Sequence, residues 1–189
     1  MSKEKLKVGL LGGSFDPIHF GHLHLAEQLK KVAGLDEVWF IPARINPLKQ
    51  DVKPADAFHR IAMVALAIEN FPRYKVLDIE CTREGPSYTV DTIEELVKKY
   101  PNINFSLLVG SDLVTNLHLW KRIDEIKSMV SIVVGVRAGA EGESPEYFQI
   151  PTMEVSSTEI RERLHSGKPC SRFVPDEVIE YIKLNKLYM

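Results

Sequence analysis

Short apolar runs alternate with longer amphipathic stretches along this chain. Residues 7–11 form an apolar, β-rich run that stops at Gly12 and Gly13, and an apolar-periodic stretch then runs from about Gly21 to Val32. Residues 37–41 (EVWFI) repeat the strand signal. After a loop containing Pro and Lys, residues 56–70 place Phe58, Ile61, Ala62, Ala65, Leu66 and Ile68 at helical spacing. The pattern then predicts a strand over 75–79, a helix over 87–100 and strands over 104–109 and 130–136. A loop of small and polar residues over 137–144 and a last short strand over 149–155 follow, with helices starting near Ser157 and Pro175. Strands separated by helical segments imply βαβ crossovers, so the predicted fold is α/β: a doubly wound, mainly parallel sheet with helices on both faces. In such sheets ligands bind outside the carboxyl ends of the strands, which directs attention to residues 12–22.

Composition narrows the class. A chain of 189 residues fits one domain, and its last ~35 residues are expected to form a helical portion within that domain. Apolar residues make up 44% and charged residues 26%, as in ordinary globular proteins. A net charge of −2 gives no overall positive field for nucleic acid or an anionic bilayer, so an anionic substrate needs a local site. Cys81 and Cys170 are far apart and lack a CxxC or Cys/His pattern, which argues against a disulfide framework and a zinc site and for a reduced, cytoplasmic setting. The start of the chain reads as a strand rather than a targeting segment. No segment approaches the ~20 apolar residues needed to span a bilayer, and 130–136 comes nearest.

Most of the chemistry lies in GGSFDPIHFGH, residues 12–22. Gly12 and Gly13 leave the strand without Cβ atoms, so backbone can approach a ligand, and Pro17 stiffens the loop. His19 and His22 stand three residues apart across the expected helix start, a spacing that puts both imidazoles on one face roughly 5–6 Å apart. Unpaired N–H groups and the positive dipole end make that start a phosphate site, and Gly21 is expected to keep its surface open. The loop has neither Walker A nor GxGxxG spacing. The plain alternative is a turn at Asp16-Pro17 followed by two structural histidines. Metal binding by His-x-x-His lacks a third ligand nearby.

These residues resemble a known family. GGSFDPIHFGH is similar to the (H/T)xGH signature of the nucleotidyltransferase superfamily, in the extended form GGxFDPxHxGH typical of nicotinate mononucleotide adenylyltransferases. A second segment, VSSTEIR (155–161), reads by itself as a capping box with Ser156 as N-cap and Glu159 three residues on. Ser157 and Arg161, four apart, share a helix face suited to a phosphate chain. The segment also resembles the superfamily's second ATP-binding motif, SSTxIR. Read alone, it is an ordinary cap beside a solvated arginine.

The resemblance also implies an acceptor pocket. Residues 83–92 (REGPSYTVDT), with Ser87 and Tyr88, look like the family segment that closes over the nicotinate ring, Thr89 meeting its carboxylate and Trp120 packing on the ring. The alternatives are Ser87 as a helix cap and Trp120 as a core residue. Gly110 and Asp112 match a Gly-x-Asp that approaches adenosine and ribose, although a turn after a strand favours the same residues. Lys49 in NPLK is similar to the lysine of a PPHK segment that could reach the acceptor phosphate. Leu48, in place of a histidine, and Lys121, in place of an aromatic residue, depart from the family pattern.

The resemblance thus implies transfer of AMP from ATP to nicotinate mononucleotide, giving nicotinate adenine dinucleotide and pyrophosphate. His19, His22 and Arg161 are the expected catalytic residues. Gly12, Gly13, Ser14, Phe15, His19, His22, Gly110, Asp112, Ser156, Ser157 and Arg161 are expected at ATP, and Lys49, Ser87, Tyr88, Thr89 and Trp120 at the acceptor. Mg²⁺ is expected with ATP, no metal site is expected on the protein itself, and the expected partners are these small molecules, with a homodimer possible. Rival readings are an adenylyltransferase for nicotinamide mononucleotide, phosphopantetheine or another phosphorylated acceptor, and a non-catalytic nucleotide sensor.

Overall fold

Burial of alternate strand positions on opposite faces organises the structure, a computed structural model that describes residues 4–47, 54–137, 147–151 and 153–189. Strand β1 (Leu6–Gly13) leads into helix α1 (Phe20–Val32), then β2 (Glu37–Pro42), α2 (Ala57–Ile68) and β3 (Tyr74–Val76). The short α3 (Ile79–Thr82) precedes α4 (Thr89–Lys99), β4 (Ile103–Gly110), the one-turn α5 (Ser111–Val114) and a 3₁₀ turn at Leu117–Leu119. The chain continues through α6 (Ile123–Met129), β5 (Ser131–Arg137), β6 (Tyr147–Ile150), α7 (Ser157–His165) and α8 (Asp176–Leu184). The described strands form one sheet in the order β3-β2-β1-β4-β5-β6. Every neighbouring pair is parallel.

Val38 and Phe40 of β2 face one core, with Leu23, Ala26 and Leu29 of α1, Met63 and Val64 of α2, and Val178 and Ile182 of α8. Their neighbours Trp39 and Ile41 face the other core, with Val90, Ile93 and Leu96 of α4 and Ile126 of α6. Side chains alternate across a strand, so a sheet covered on both faces must have near-continuous apolar strands, as residues 37–41 and 130–136 do. The strand order reverses direction between β1 and β4, and the carboxyl ends of these strands, Gly13 and Gly110, open the crevice expected at a topological switch point. The doubly wound reading of the sequence therefore holds.

The boundaries differ in instructive ways. The strand expected over 75–79 is Tyr74–Val76, after which Asp78 starts α3. The helix expected from Ser87 begins at Thr89, and Ser87 does not cap it. Its Oγ instead accepts the Arg44 N–H at 2.9 Å. The last strand lies upstream of its expected place, at Tyr147–Ile150. Helix α2 is where periodicity put it, capped by Asp56, whose carboxylate accepts the Phe58 N–H at 2.8 Å. Its buried face is rotated, however. Arg60, Met63, Val64, Ala67 and Ile68 are buried, whereas Phe58 is 71% exposed.

Candidate active site

Helix α1 starts at an unusual cap. His19 is the N-cap, and its own N–H donates to Nδ1 of His22 at 3.3 Å. The two rings stack, centroids 3.7 Å apart and planes 25° apart, nearer than ordinary same-face spacing because the backbone N–H to Nδ1 bond draws His22 back over His19. His19 is 6% exposed and its Nδ1 has no hydrogen-bond partner among the described residues. Burial holds its pKa at about 4, so the imidazole is neutral at pH 7. The helix start is also less open than the spacing suggested, since the Phe20 N–H donates to the Phe173 carbonyl at 2.8 Å.

Phe15 lies in the left-handed region, φ 48°, and is buried. Its ring sits edge-on to His22 at 5.0 Å and tilted against Phe40 at 5.8 Å, packing that fixes a backbone conformation costly for a bulky residue. A Cβ on Gly13 would meet that ring at 3.0 Å, whereas one on Gly12 would meet nothing within 4 Å. Gly21 does not leave an open surface. A Cβ there would meet Val155 at 2.7 Å and the His19 ring at 3.0 Å, so its absence lets the two motifs close on each other.

The two motifs do meet. Ser157 Oγ donates to the Pro17 carbonyl at 3.0 Å across 140 residues, and the Arg161 guanidinium donates to the Asp16 carbonyl at 2.7 Å across 145. Ser156 caps α7 by accepting the Glu159 N–H at 3.2 Å, half of the expected capping box, while the Glu159 carboxylate turns to Arg163 at 2.9 Å. Ser157 and Arg161 thus brace the first motif as well as bordering the cavity beside it.

That cavity measures about 1350 Å³. Gly12, Gly13, Ser14, Phe15, His19, His22, Gly110, Ser156, Ser157 and Arg161 line it together with Ser87, Tyr88, Thr89 and Trp120. The histidine end and the aromatic end therefore form one continuous space. Lys49 and Leu48 lie outside the described residues, and of Asp112 only the backbone, in α5, is described. Trp120 is only half-buried, yet its indole N–H is enclosed without a partner among the described residues, a donor turned away from solvent. Lys121 places its ammonium 4.2 Å above the Tyr88 ring and 3.6 Å from Asp91. Among the described residues no cluster of His, Cys, Asp or Glu is suited to hold a metal ion.

Sequence reading missed the supports of this site. Arg60, 1% exposed, donates to the carbonyls of Ala55 at 2.8 Å, Ser14 at 2.7 Å and Arg44 at 3.4 Å, tying α2 to the loop after β1. Its signal was present: a charge spaced at i−3 and i−4 from the apolar Met63 and Val64. Glu80, also buried and lining the cavity, accepts from Thr92 Oγ1 at 2.8 Å. Burial raises its pKa, against hydrogen bonds from Thr92 and Ser87 and the charge of Arg83. No local pattern pointed to it.

Comparison with known proteins agrees with this geometry. The cytidylyltransferase-like family matches residues 10–163. The nicotinate-nucleotide adenylyltransferase of Bacillus subtilis is 42% identical over 185 residues, covering 96% of this chain and 98% of that protein. A probable nicotinate-nucleotide adenylyltransferase of Bacillus pumilus is 44% identical over the same shares. Among solved structures, the Plasmodium falciparum nicotinic acid mononucleotide adenylyltransferase complexed with NaAD superposes with a TM-score of 0.80 at 22% identity, covering 97% of each chain, a likeness of fold. Identity of this order along nearly the whole chain makes the chain a member of the nicotinate-nucleotide adenylyltransferase family of nucleotidyltransferases.

Proposed function

We propose that this enzyme transfers AMP from ATP to nicotinate mononucleotide, releasing pyrophosphate and forming nicotinate adenine dinucleotide, a step of NAD biosynthesis. The observation that carries the reading is the junction of the two motifs. Arg161 reaches the Asp16 carbonyl at 2.7 Å, which puts a guanidinium beside the stacked His19 and His22 at the rim of one cavity.

An oxygen of the acceptor's 5′-phosphate attacks the α-phosphorus of ATP in line. One P–O bond forms as the bond to the bridging oxygen of the leaving pyrophosphate breaks. The attacking oxygen is already an anion at pH 7, so no protein nucleophile or strong base is needed, and the work is orientation and charge stabilisation. Oriented reactants account for roughly 7–11 kcal/mol of barrier in favourable cases. Neutral His19 offers a hydrogen bond to the phosphates rather than a positive charge. The charge comes from Arg161 and from Mg²⁺ entering as part of the ATP complex.

The acceptor ring fits the other end of the cavity, between Trp120 and Tyr88, with its carboxylate toward Ser87, Thr89 and the N-terminus of α4. The same reading makes the partners small molecules and the setting cytoplasmic. No helix of the described residues is long and apolar enough to cross a membrane.

Pyrophosphate release with ATP and a panel of acceptors tests the proposal. Nicotinate mononucleotide should give the highest kcat/KM, above nicotinamide mononucleotide and phosphopantetheine. A higher value for another acceptor would transfer the assignment to that compound, and release with none of them would leave the sensor reading in its place.

A further inference from the structure

A tyrosine outside both sequence motifs touches the centre of the first. The Tyr188 hydroxyl donates to Oδ1 of Asp16 at 2.6 Å across 172 residues. Tyr188 follows α8 in the left-handed region, φ 62°, as does Lys186 two residues earlier at 52°. These two residues, on either side of Leu187, turn the chain back so that the ring packs against the core under the nucleotide loop.

Asp16 is 5% exposed and its carboxylate is a hub. Oδ1 also accepts the Ala55 N–H at 3.0 Å, and Oδ2 lies 3.7 Å from the Arg161 guanidinium, which at the same time binds the Asp16 carbonyl at 2.7 Å. A buried carboxylate needs donors around it. Here the donors are one backbone N–H, one guanidinium and the Tyr188 hydroxyl. Burial and the neighbouring carboxylate push the Tyr188 phenol well above its ordinary range, so it remains a donor at any working pH.

We propose that Tyr188 is a positioning residue of the nucleotide site: by holding the Asp16 carboxylate it fixes the place of Arg161 and of the loop from Ser14 to Pro17. The hydroxyl touches no substrate and acts through Asp16. Without it, the carboxylate can satisfy its lost contact only by drawing the Arg161 side chain further onto itself, away from the cavity. The assignment rests on the reading of this cavity as the ATP site, whichever acceptor is used.

The test is Tyr188→Phe, which keeps the ring and removes only the donor. With the purified full chain, ATP affinity by titration calorimetry should fall about tenfold, the order expected for losing a hydrogen bond to a charged group. KM for the acceptor should stay within twofold and the melting curve should remain cooperative. Asp16→Asn weakens ATP binding as well, and adding Tyr188→Phe to it should cost little more, because the tyrosine acts through that carboxylate. Wild-type ATP affinity in Tyr188→Phe, an equal rise in KM for both substrates, or full additivity with Asp16→Asn would each overturn the assignment. Measurable ATP binding by the parent protein with no turnover on any acceptor would reject the proposed function while leaving this test intact.

Discussion

His19 and His22 lie ring on ring, centroids 3.7 Å apart, and the backbone N–H of the first donates to Nδ1 of the second. The pair caps helix α1 and lines the cavity at the same time. Helix capping and phosphate recognition need the same thing, polar atoms gathered at a helix start, so one short motif is suited to both.

His22→Ala should therefore remove most turnover while leaving the protein folded. Loss of the cap costs about 1 kcal/mol, too little to unfold an ordinary domain. Pyrophosphate release and circular dichroism, measured together, check this. Turnover near the parent value would reject a role for His22 at the transferring phosphoryl group.

Stability should fall in mild acid because of His19. Its pKa drops from the ordinary 6.5 to about 4 on folding, through burial, so between those values the unfolded chain binds a proton that the folded chain refuses. This contribution is complete above pH 6.5 and is lost as pH falls from there toward 4, at up to about 1.4 kcal/mol per pH unit. The melting temperature of the parent should thus drop more steeply between pH 7 and 5 than that of His19→Asn, which can still cap the helix but cannot titrate. Parallel curves for the two proteins would contradict the burial of a neutral ring.

Gly21→Ala should damage stability and catalysis together. Its Cβ would lie 2.7 Å from Val155 and 3.0 Å from the His19 ring, neither of which is the end of a long flexible chain. Overpacking of this kind costs about 1–3 kcal/mol. Val155→Ala in the same chain should restore part of the melting temperature, and less of the activity, because the contact with the His19 imidazole remains.

Trp120→Ala should raise KM for the acceptor by tenfold or more, an aromatic face and an enclosed indole donor being lost, while KM for ATP changes little. Steady-state kinetics with each substrate varied in turn decide it. Lys121→Ala, which removes the ammonium 4.2 Å from the Tyr88 ring and its half-exposed pair with Asp91, should cost under about 1 kcal/mol of stability.

Local pattern was enough for the order of the strands and for the longer helices, because burial on both faces imposes continuous apolar runs on strands and a periodic face on helices, but the short α3, α5 and α6 were missed. It was also enough to pick out the two segments that border the cavity, since each is contiguous: a strand exit with two histidines, and a helix cap followed by an arginine one turn on. Contacts between distant segments were not legible. Tyr188 on Asp16, Arg60 on the Ser14 carbonyl and Glu80 under Thr92 and Ser87 depend on which loops the sheet order brings together. Even on α2, where periodicity found the helix, the buried face was misread by a rotation, because a fully hydrogen-bonded Arg60 occupies the core side and Phe58 faces solvent. The chemistry of each segment was written in its own residues. The packing that turns two such segments into a single site came from the tertiary fold, because buried polar groups must find partners wherever the chain happens to offer them.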